Sequence, residues 1–495
     1  MEKKELKPAV VFHYFDEICQ VPRPSKKEEK IVEYLKNFGL SHNLETKWDE
    51  VGNFLIKKPA TPGMENRRTV ILQSHVDMVC EKNNDVEHDF LKDPIQTYID
   101  GEWLRAKGTT LGADNGIGVA TELAILASDD IQHGPVECLF TIDEETGLTG
   151  AFALKEGFMS GDILLNLDSE DEGEMFIGCA GGIDTVAEFD YKIESAPTGY
   201  YFFRVEVKGL TGGHSGDDIN KNRANANKLL VRYLNRIAEI TDLHICQIDG
   251  GNLRNAIPRE AWAICAVPME EKETMRVELN ILSAEIEAEY AVSEPNMQWT
   301  LDSENPRDVV IDSDTATRLL QALTAVHHGV FAMSQDIPGL VETSSNLASI
   351  KMVDGNIIRI ATSQRSSILS ARNHMADTVG AAFRLAGARV TRGEGYPGWK
   401  PNPSSAILKV AVDAYKRLFG KEPAVKAIHA GLECGLFLEK YPSLDMVSFG
   451  PTLRGVHSPD ERMLIPTVDM FWRHLLEVLA NIPVKKHNIE VVQSL

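Results

Sequence analysis

A histidine and an aspartate stand two residues apart at the end of an apolar segment of this 495-residue sequence. The segment, residues 70–79, is rich in aliphatic and β-branched side chains and follows a polar turn, which predicts a buried strand. Side chains at i and i+2 lie on one face of a strand, so Asp77 can bind one ring nitrogen of His75 and turn the other towards a metal ion. The alternative interpretation is a core histidine that is satisfied by its neighbour.

Acidic residues follow two further apolar segments in the same way. The strand predicted over 137–142 runs into three consecutive acids that include Glu144 and Glu145, and the strand predicted over 163–167 ends at Asp168. Consecutive acids repel one another unless cations lie nearby, although a solvated acidic loop would also accommodate them. Strands that alternate with helices predict an α/β sheet, in which sites collect at the carboxyl ends of the strands. Several metal-type residues at strand ends are harder to explain by chance than any one of them.

A glycine-rich segment, Thr110 to Gly118, places Asp114 directly before a predicted apolar helix. Glycine lets the backbone approach a site closely or adopt unusual dihedral angles. A phosphate-binding loop fits poorly, because the segment carries an acid and lacks the Gly-Lys-Ser/Thr sequence. An aspartate that caps the helix N-terminus is the other interpretation.

The composition limits the classes of function. A chain of 495 residues exceeds one ordinary core, so we expect two or more domains, and 43% hydrophobic with 25% charged residues is typical of a soluble globular protein. The net charge of -22 argues against a nucleic-acid partner. No apolar run of about 20 residues predicts a membrane span. Seven scattered cysteines without a CxxC pair, and a start without a signal-peptide core, predict a cytoplasmic protein.

The ordered set of motifs resembles peptidase family M20. The match continues beyond Asp168 and so covers nearly the whole chain, through the segments Gly212–Gly216, Asn255–Pro258 and Gly455–Ser458. Within the family, the chain is most similar to the bacterial aminoacyl-histidine (Xaa-His) dipeptidases, the carnosine-cleaving branch. That narrower resemblance is carried by residues 110–116 and 429–435.

The resemblance implies a centre with two divalent metal ions. His75 and Asp168 would hold one ion. Glu145 and His457 would hold the other, and Asp114 would bridge both ions with one oxygen each. Two imidazoles and three carboxylates are borderline ligands that suit Zn, with Co or Mn as alternatives. The family pattern also implies a cis peptide bond after Asp114.

The resemblance implies three catalytic roles as well. Asp77 would orient the ring of His75, and Glu144 would be the general base. His214 would stabilise the oxyanion, although a loop histidine beside glycines is often merely solvated.

Three further residues would bind the carboxylate or the backbone of the substrate. They are Asn255, Arg365 and Gly431, of which Gly431 would contribute main-chain contact. An arginine suits a carboxylate because its planar fork binds both oxygens. Arg365 could instead be an ordinary surface charge, and Arg372 is the competing candidate.

The predicted fold is α/β, with a zinc-peptidase-like catalytic α/β domain and an inserted α+β lid domain. The catalytic domain would comprise residues 1–186 plus 397–495, and the lid 187–396. The lid is about twice as long as one βαββαβ unit requires, which predicts two related halves. Near the N-terminus, two helices are expected between residues 12 and 39, with Ser25 as the N-cap of the second.

We therefore expect a metal-dependent hydrolase of small peptides, in particular dipeptides with a C-terminal histidine, that is a monomer or a homodimer. A tripeptidase or an N-acyl amino-acid deacylase of the same family is the alternative, because these enzymes share the metal residues. A binding protein that kept the fold but lost catalysis is disfavoured, since such a protein would not require the non-ligand acid Glu144.

The inserted domain is doubled, so its second half can occupy the space that the lid of a partner subunit would fill in relatives with a small lid. We therefore predict that His214 acts on the metal ions of its own chain. His214→Ala and Glu144→Ala, each expected to be nearly inactive, are co-expressed so that mixed assemblies form. Action within one chain leaves a lesion in every site, and activity stays low. Recovered activity in confirmed mixed assemblies would contradict this prediction.

Overall fold

The computed structural model describes residues 6–485, and these fall into two compact units. The first unit comprises the described residues up to 178 together with 401–427 and those from 432 onward, and the second comprises 179–400 and 428–431. The predicted domain bounds, 186/187 and 396/397, differ by a few residues, because the second unit includes a strand that begins at Gly181. The ends of the predicted catalytic domain, 1–5 and 486–495, lie outside the described residues. Among residues 6–485, no helix combines the length and apolar character needed to cross a membrane.

The helices and strands follow in chain order. Residues 6–179 form α1 Ala9–Cys19, α2 Glu29–Ser41, β1 Glu45–Trp48, β2 Phe54–Lys58, β3 Val70–His75, β4 Thr97–Asp100, β5 Trp103–Ala106, α3 Ala113–Ala127, β6 Val136–Thr141, α4 Glu144–Gly147, α5 Thr149–Ala153, β7 Ile163–Asn166 and β8 Glu174–Cys179. Residues 181–311 form β9 Gly181–Asp190, β10 Ile193–Ser195, β11 Tyr200–Lys208, β12 Gly213–His214, α6 Ala226–Ile240, β13 His244–Gly250, β14 Ala256–Ile257, β15 Ala261–Pro268, α7 Lys272–Tyr290, β16 Gln298–Ser303 and β17 Val309–Ile311. Residues 313–480 form α8 Ser313–Ala325, β18 Gly329–Met333, β19 Val341–Val353, β20 Ile357–Ser366, α9 Leu369–Leu385, β21 Arg389–Arg392, α10 Ala406–Phe419, β22 Ala424–Ile428, α11 Glu433–Lys440, β23 Asp445–Ser448, β24 Leu453–Arg454, β25 Arg462–Leu464 and α12 Ile465–Ala480.

The first unit is built on an eight-stranded sheet with the order β1-β2-β6-β3-β7-β23-β8-β22. Its centre is parallel, because β3 pairs in parallel with β6 and β7, and β7 with β23. Every residue of β3, β6 and β7 is buried, as is typical of central strands in a parallel sheet. The carboxyl ends of β3, β6 and β7 therefore meet at one edge of the sheet, and the predicted metal residues follow there.

Helix α3 carries the glycine-rich segment and lies against β3 and α1. Every position from Ala113 to Leu126 is buried, including the polar residues Asp114, Asn115 and Glu122. The two predicted N-terminal helices are present as α1 and α2, but the predicted N-cap is wrong. Glu28 occupies the N-cap of α2, and the Ser25 hydroxyl instead donates a hydrogen bond to Asp77 Oδ2 at 2.8 Å.

The second unit contains a nine-stranded sheet in which β16-β11-β15-β13-β19-β20-β9-β21 are neighbours and β18 pairs with β19. Helices α6, α7, α8 and α9 pack on it and share one apolar core with it. Apart from β18, the sheet consists of two four-stranded halves, each a βαββαβ unit, joined where Gly250 of β13 pairs with Ile350 of β19. In both halves the order is fourth, first, third and second strand. Their relation at the level of sequence stays a prediction.

Candidate active site

His75 and Asp77 lie at the carboxyl end of β3, where the chain leaves the parallel sheet. His75 Nδ1 lies 3.3 Å from Asp77 Oδ1, an ion-pair distance without hydrogen-bond alignment. Asp77 Oδ1 accepts a hydrogen bond from the Glu144 amide at 3.0 Å, and Oδ2 accepts one from the Glu145 amide at 3.2 Å. Asp77 therefore links the end of β3 to the residues that follow β6.

Glu144 and Glu145 form the first turn of the short helix α4. The Asp77 carboxylate stabilises this turn, because it accepts both of their amides and so caps its start. The two neighbouring side chains then leave the turn in different directions. Glu145 Oε2 lies 2.9 Å from His457 Nε2.

Asp114 lies between the two histidines. Its Oδ1 is 3.2 Å from His75 Nε2, and its Oδ2 is 3.2 Å from His457 Nε2. Asp168 Oδ1 is 3.4 Å from the same His75 nitrogen. The five predicted ligands therefore form two groups that share Asp114, with His75 and Asp168 on one side and His457 and Glu145 on the other. The peptide bond from Asp114 to Asn115 is cis.

The charges of this cluster are unbalanced. Burial raises the pKa of Asp168 to about 7, and the charges of Asp114 and Glu145 add to this effect against the opposing His75. Hydrogen bonds to Asp114 and Glu145 raise the pKa of His457 to about 11. Both shifts favour the protonated forms, as expected where carboxyl groups outnumber the cationic side chains around them.

The donor set fits divalent cations. Donor atoms of His75, Asp114 and Glu145 lie within 4.8 Å of one another. Glu145 Oε1 and Asp168 Oδ1 are buried, and neither has a hydrogen-bond partner within residues 6–485. A buried carboxylate oxygen without a partner is unfavourable, and a bound cation would satisfy it. Imidazole with carboxylate is a donor set that suits Zn, Mn or Co.

A neighbouring group of acids has a different role. Oxygens of Glu28, Asp77 and Asp143 also lie within 4.8 Å of one another. Glu28 Oε1, however, accepts hydrogen bonds from the amides of Lys26 and Asp143, and Asp143 accepts hydrogen bonds from nearby threonine hydroxyls. The hydrogen bonds of this group are made within the protein, and they stabilise the turn before Glu144.

Burial also raises the pKa of Glu144 well above its ordinary value, and the charges of Asp168, Glu433 and Glu145 add to this effect while His75 opposes it. A carboxyl group with a raised pKa is a stronger base than an ordinary carboxylate, and once protonated it can deliver the proton. Glu144 has no predicted ligand role, and its surroundings suit proton transfer.

Glu433 is a buried acid near this cluster that the sequence analysis did not single out. It accepts hydrogen bonds from Gln73 Nε2 at 2.6 Å and from Thr141 Oγ1 at 2.8 Å. Gln73 precedes His75 on β3, and Thr141 ends β6, so Glu433 ties together the two strands that carry predicted site residues. The sequence offers one signal for it, an acid within the 429–435 motif.

His214 and Asn255 lie next to each other in the second unit. His214 pairs with Ala256 in the two-stranded ladder of β12 and β14, and the Ser215 amide donates to the Asn255 carbonyl at 2.8 Å. His214 Nδ1 accepts hydrogen bonds from the Gly216 and Asp217 amides, both at 3.2 Å. The proton of the neutral ring therefore belongs on Nε2. Burial and the Arg365 charge lower the pKa of His214, which favours this neutral form.

Arg365 and Arg372 have different partners. Arg365 is 7% exposed and donates to Ser215 Oγ at 3.3 Å and to Tyr396 Oη at 3.1 Å, both neutral oxygens. Arg372 donates to the backbone carbonyls of Gly182 and Tyr396 and to a side-chain amide oxygen. Arg365 thus has neutral side-chain partners, whereas Arg372 binds the backbone and stabilises the 396 segment.

Gly431 lies against the same tyrosine. A Cβ atom at Gly431 would come within 3.0 Å of the Tyr396 ring, and one at Gly182 would also meet that ring. The ring of Tyr396 therefore packs closely against two glycines while its hydroxyl binds Arg365. Sequence reasoning offers no sign of this contact.

Comparisons with known proteins give a consistent result. Peptidase family M20/M25/M40 matches residues 71–481 of this sequence. The chain belongs to this family. The cytosol non-specific dipeptidase of Escherichia coli (strain K12) is 45% identical over 484 residues, which cover 98% of this chain and 100% of that protein.

Solved structures extend the comparison. The aminoacylhistidine dipeptidase of Vibrio alginolyticus has a TM-score of 0.91 and 46% identity, covering 98% of this chain and 99% of that one. An aminopeptidase of Bacillus cereus matches at a TM-score of 0.56 and 16% identity over 96% of this chain and 99% of that chain, which shows the fold alone. The predicted family, α/β fold class and enzyme class, a peptide hydrolase of family M20, are confirmed by these matches.

Asp114→Ala is expected to lose both metal ions, because the two oxygens of Asp114 face different histidines. The measurement is the metal content per chain after gel filtration, by elemental analysis. Asp129→Ala, at an exposed aspartate, is the matched control and should keep the parental content. One tightly held ion left in the Asp114 variant would contradict the bridging role.

Glu144→Gln and Glu145→Gln form a matched pair that distinguishes the expected general base from the expected metal ligand. Glu144→Gln should keep both metal ions and lose turnover by at least ~10²-fold, the scale of a positioned general base. Glu145→Gln should weaken one metal site, because its carboxylate faces His457. An equal fall in metal content in both variants would show that the two roles are misassigned.

Proposed function

We propose that this protein is a dipeptidase with a dinuclear metal centre in its first unit. The observation that supports this most is the position of Asp114, whose two carboxylate oxygens each face a different histidine. A carboxylate arranged in this way can bridge two cations, and few other roles require it to be shared between two imidazoles.

The proposed ligands divide between two ions. His75 and Asp168 would hold one ion, His457 and Glu145 would hold the other, and Asp114 would contribute to both. Zn is the proposed metal, with Co or Mn as alternatives, because the five donors are borderline nitrogen and oxygen ligands. Asp77 faces the second ring nitrogen of His75 and fixes the orientation of that ring.

When bound, the two cations would lower the pKa of a water molecule and polarise the scissile carbonyl. Glu144 takes a proton from the attacking water and delivers it to the leaving amine. The raised pKa of Glu144 supports both halves of this role, since a stronger base accepts the proton and the protonated acid then donates it.

His214 is the proposed oxyanion donor. Its Nδ1 is engaged by two backbone amides, so the Nε2–H group remains available to donate to a developing negative charge. A histidine that is kept neutral can donate this hydrogen bond without giving up its proton. Asn255, adjacent to His214 across the β12–β14 ladder, is proposed to bind the substrate backbone.

Arg365 is the proposed site for the C-terminal carboxylate of the substrate. It is buried beside neutral oxygens, so its charge is free to pair with a carboxylate that the substrate brings. Gly431 is proposed to contribute main-chain contact there. In this assignment the predicted catalytic domain, 1–186 plus 397–495, holds the metal residues, and the predicted lid, 187–396, holds His214, Asn255 and Arg365.

The proposed substrates are dipeptides, in particular those with a C-terminal histidine. Support comes from the two similar proteins, one named a non-specific dipeptidase and the other an aminoacylhistidine dipeptidase. A cytoplasmic location is proposed from the cytosolic name of the first of them. Whether the protein is a monomer or a homodimer stays a prediction.

A substrate panel tests this proposal. We expect hydrolysis of carnosine, Ala-His and Ala-Ala. A tripeptide and N-acetyl amino acids should be cleaved much more slowly, and a chelator should abolish all activity. Comparison of Ala-His with Ala-Ala measures the preference for histidine. Faster cleavage of the tripeptide or of N-acetyl amino acids would favour the tripeptidase or deacylase alternative.

Arg365→Met is expected to lower kcat/KM for Ala-His by about 10- to 100-fold, the range for charged hydrogen bonds to one carboxylate. The C-terminal amide of the same dipeptide lacks that carboxylate and should be affected much less. Tyr396→Phe, which removes a neutral partner of Arg365, should show a smaller loss with the same dependence on the carboxylate. Equal losses for acid and amide substrates would contradict the role of Arg365.

A further inference from the structure

Glu461 is a buried acid that binds the backbone of the segment leading to Asp114. It is 2% exposed. Its Oε2 accepts hydrogen bonds from the amides of Leu111 and Gly112 at 2.7 and 2.9 Å. Its Oε1 accepts hydrogen bonds from the amides of Ala113 and Asp114 at 2.8 and 3.3 Å. One carboxylate therefore satisfies four consecutive backbone N–H groups.

The shape of the segment explains why four amides can converge. Gly112 has a φ of +69°, a left-handed conformation that turns successive N–H groups towards one side. Such a concave run of amides attracts an anion, and here the anion is a side chain of the protein itself. The last of the four amides belongs to Asp114, so the contact with Glu461 restrains the residue that faces both histidines.

Glu461 also belongs to the loop that carries His457. The loop lies between β24 and β25, and its turn is stabilised by two hydrogen bonds of Ser458. The Ser458 hydroxyl donates to the Gly455 carbonyl at 2.7 Å, and the Ser458 carbonyl accepts from the Glu461 amide at 3.0 Å. One short loop thus supplies the histidine that faces Asp114 Oδ2 and holds the backbone from which Asp114 projects.

We propose that Glu461 is a positioning residue that fixes the Asp114 carboxylate between His75 and His457, and so sets the affinity of both metal ions. The inference rests on the metal centre proposed above. A purely structural anchor would stabilise the fold equally with and without metal. A positioning residue must in addition change how tightly the ions bind, because it restrains a shared ligand.

Two substitutions test the carboxylate. Glu461→Gln preserves the size of the side chain, but in either orientation its NH₂ group meets two backbone N–H donors. Glu461→Asp keeps both acceptors and shortens their reach. The matched control is Asp460→Asn, which removes one negative charge from the neighbouring residue, whose side chain is 82% exposed.

The measurements are Zn²⁺ affinity of the full-length protein by competition with a chelator, and thermal midpoints of the metal-free and Zn²⁺-loaded forms. For Glu461→Gln we expect affinity to fall by about 10- to 100-fold, the usual effect of losing a group that orients a metal ligand. The rise in thermal midpoint that Zn²⁺ causes should be correspondingly smaller than in the parent. Glu461→Asp should show a smaller fall, and Asp460→Asn should behave as the parent.

Parental Zn²⁺ affinity in Glu461→Gln, with both midpoints lowered by the same amount, would overturn the inference and leave Glu461 as a structural anchor. If Glu461→Gln does not fold, parental affinity in Glu461→Asp overturns it instead. A parental protein that binds none of Zn²⁺, Co²⁺ and Mn²⁺ would refute the metal centre itself, a failure that is visible before any variant is made.

Discussion

The first unit depends on how a protein can place several carboxylates together in a buried region. Asp114, Asp168, Glu144 and Glu145 gather at the carboxyl edge of a parallel sheet, and two imidazoles alone do not balance them. The raised pKa values of Asp168 and His457 express this imbalance, since both groups then favour the protonated state. Divalent cations relieve the same repulsion without protonating the carboxylate that serves as the base. Such a cluster is therefore well suited to metal-assisted hydrolysis.

The carboxylates stay in place because other acids bind the backbone around them. Asp77 accepts the amides of Glu144 and Glu145. Glu461 accepts four amides that end at Asp114. A carboxylate that accepts backbone N–H groups restrains the main chain. The side chains attached to that stretch of main chain are thereby restrained as well.

The sequence predicts the parts of the site whose signals are local. Continuous apolar runs that end in His75 or Asp168 identify central parallel strands, and the structure has β3 and β7 there. The alternation of strands and helices predicts the α/β class for the same reason. The helical turn at Glu144 has no such local signal, because the cap that stabilises it comes from Asp77, more than sixty positions away in the chain.

Contacts between distant segments could not be predicted in this way. Glu461 and Leu111 are separated by 350 positions, and Glu433 and Gln73 by 360. No period or spacing in a single sequence links such pairs, since only the folded sheet brings their segments together. Ser25 shows the same limit, because its local pattern fits a helix cap while its hydroxyl binds Asp77.

In the second unit, the positive charge of Arg365 lies beside neutral side-chain partners. A metal centre acts on the scissile carbonyl of any small peptide, so selection among substrates must come from groups that bind its ends. Arg365 keeps its charge beside neutral oxygens of Ser215 and Tyr396. Burial, followed by the charges of Arg365 and His214, lowers the pKa of nearby His429 to about 3, and its Nε2 lies 2.7 Å from Ser344 Oγ. A neutral His429 adds no second positive charge beside Arg365, which suits the proposed recognition of a single substrate carboxylate.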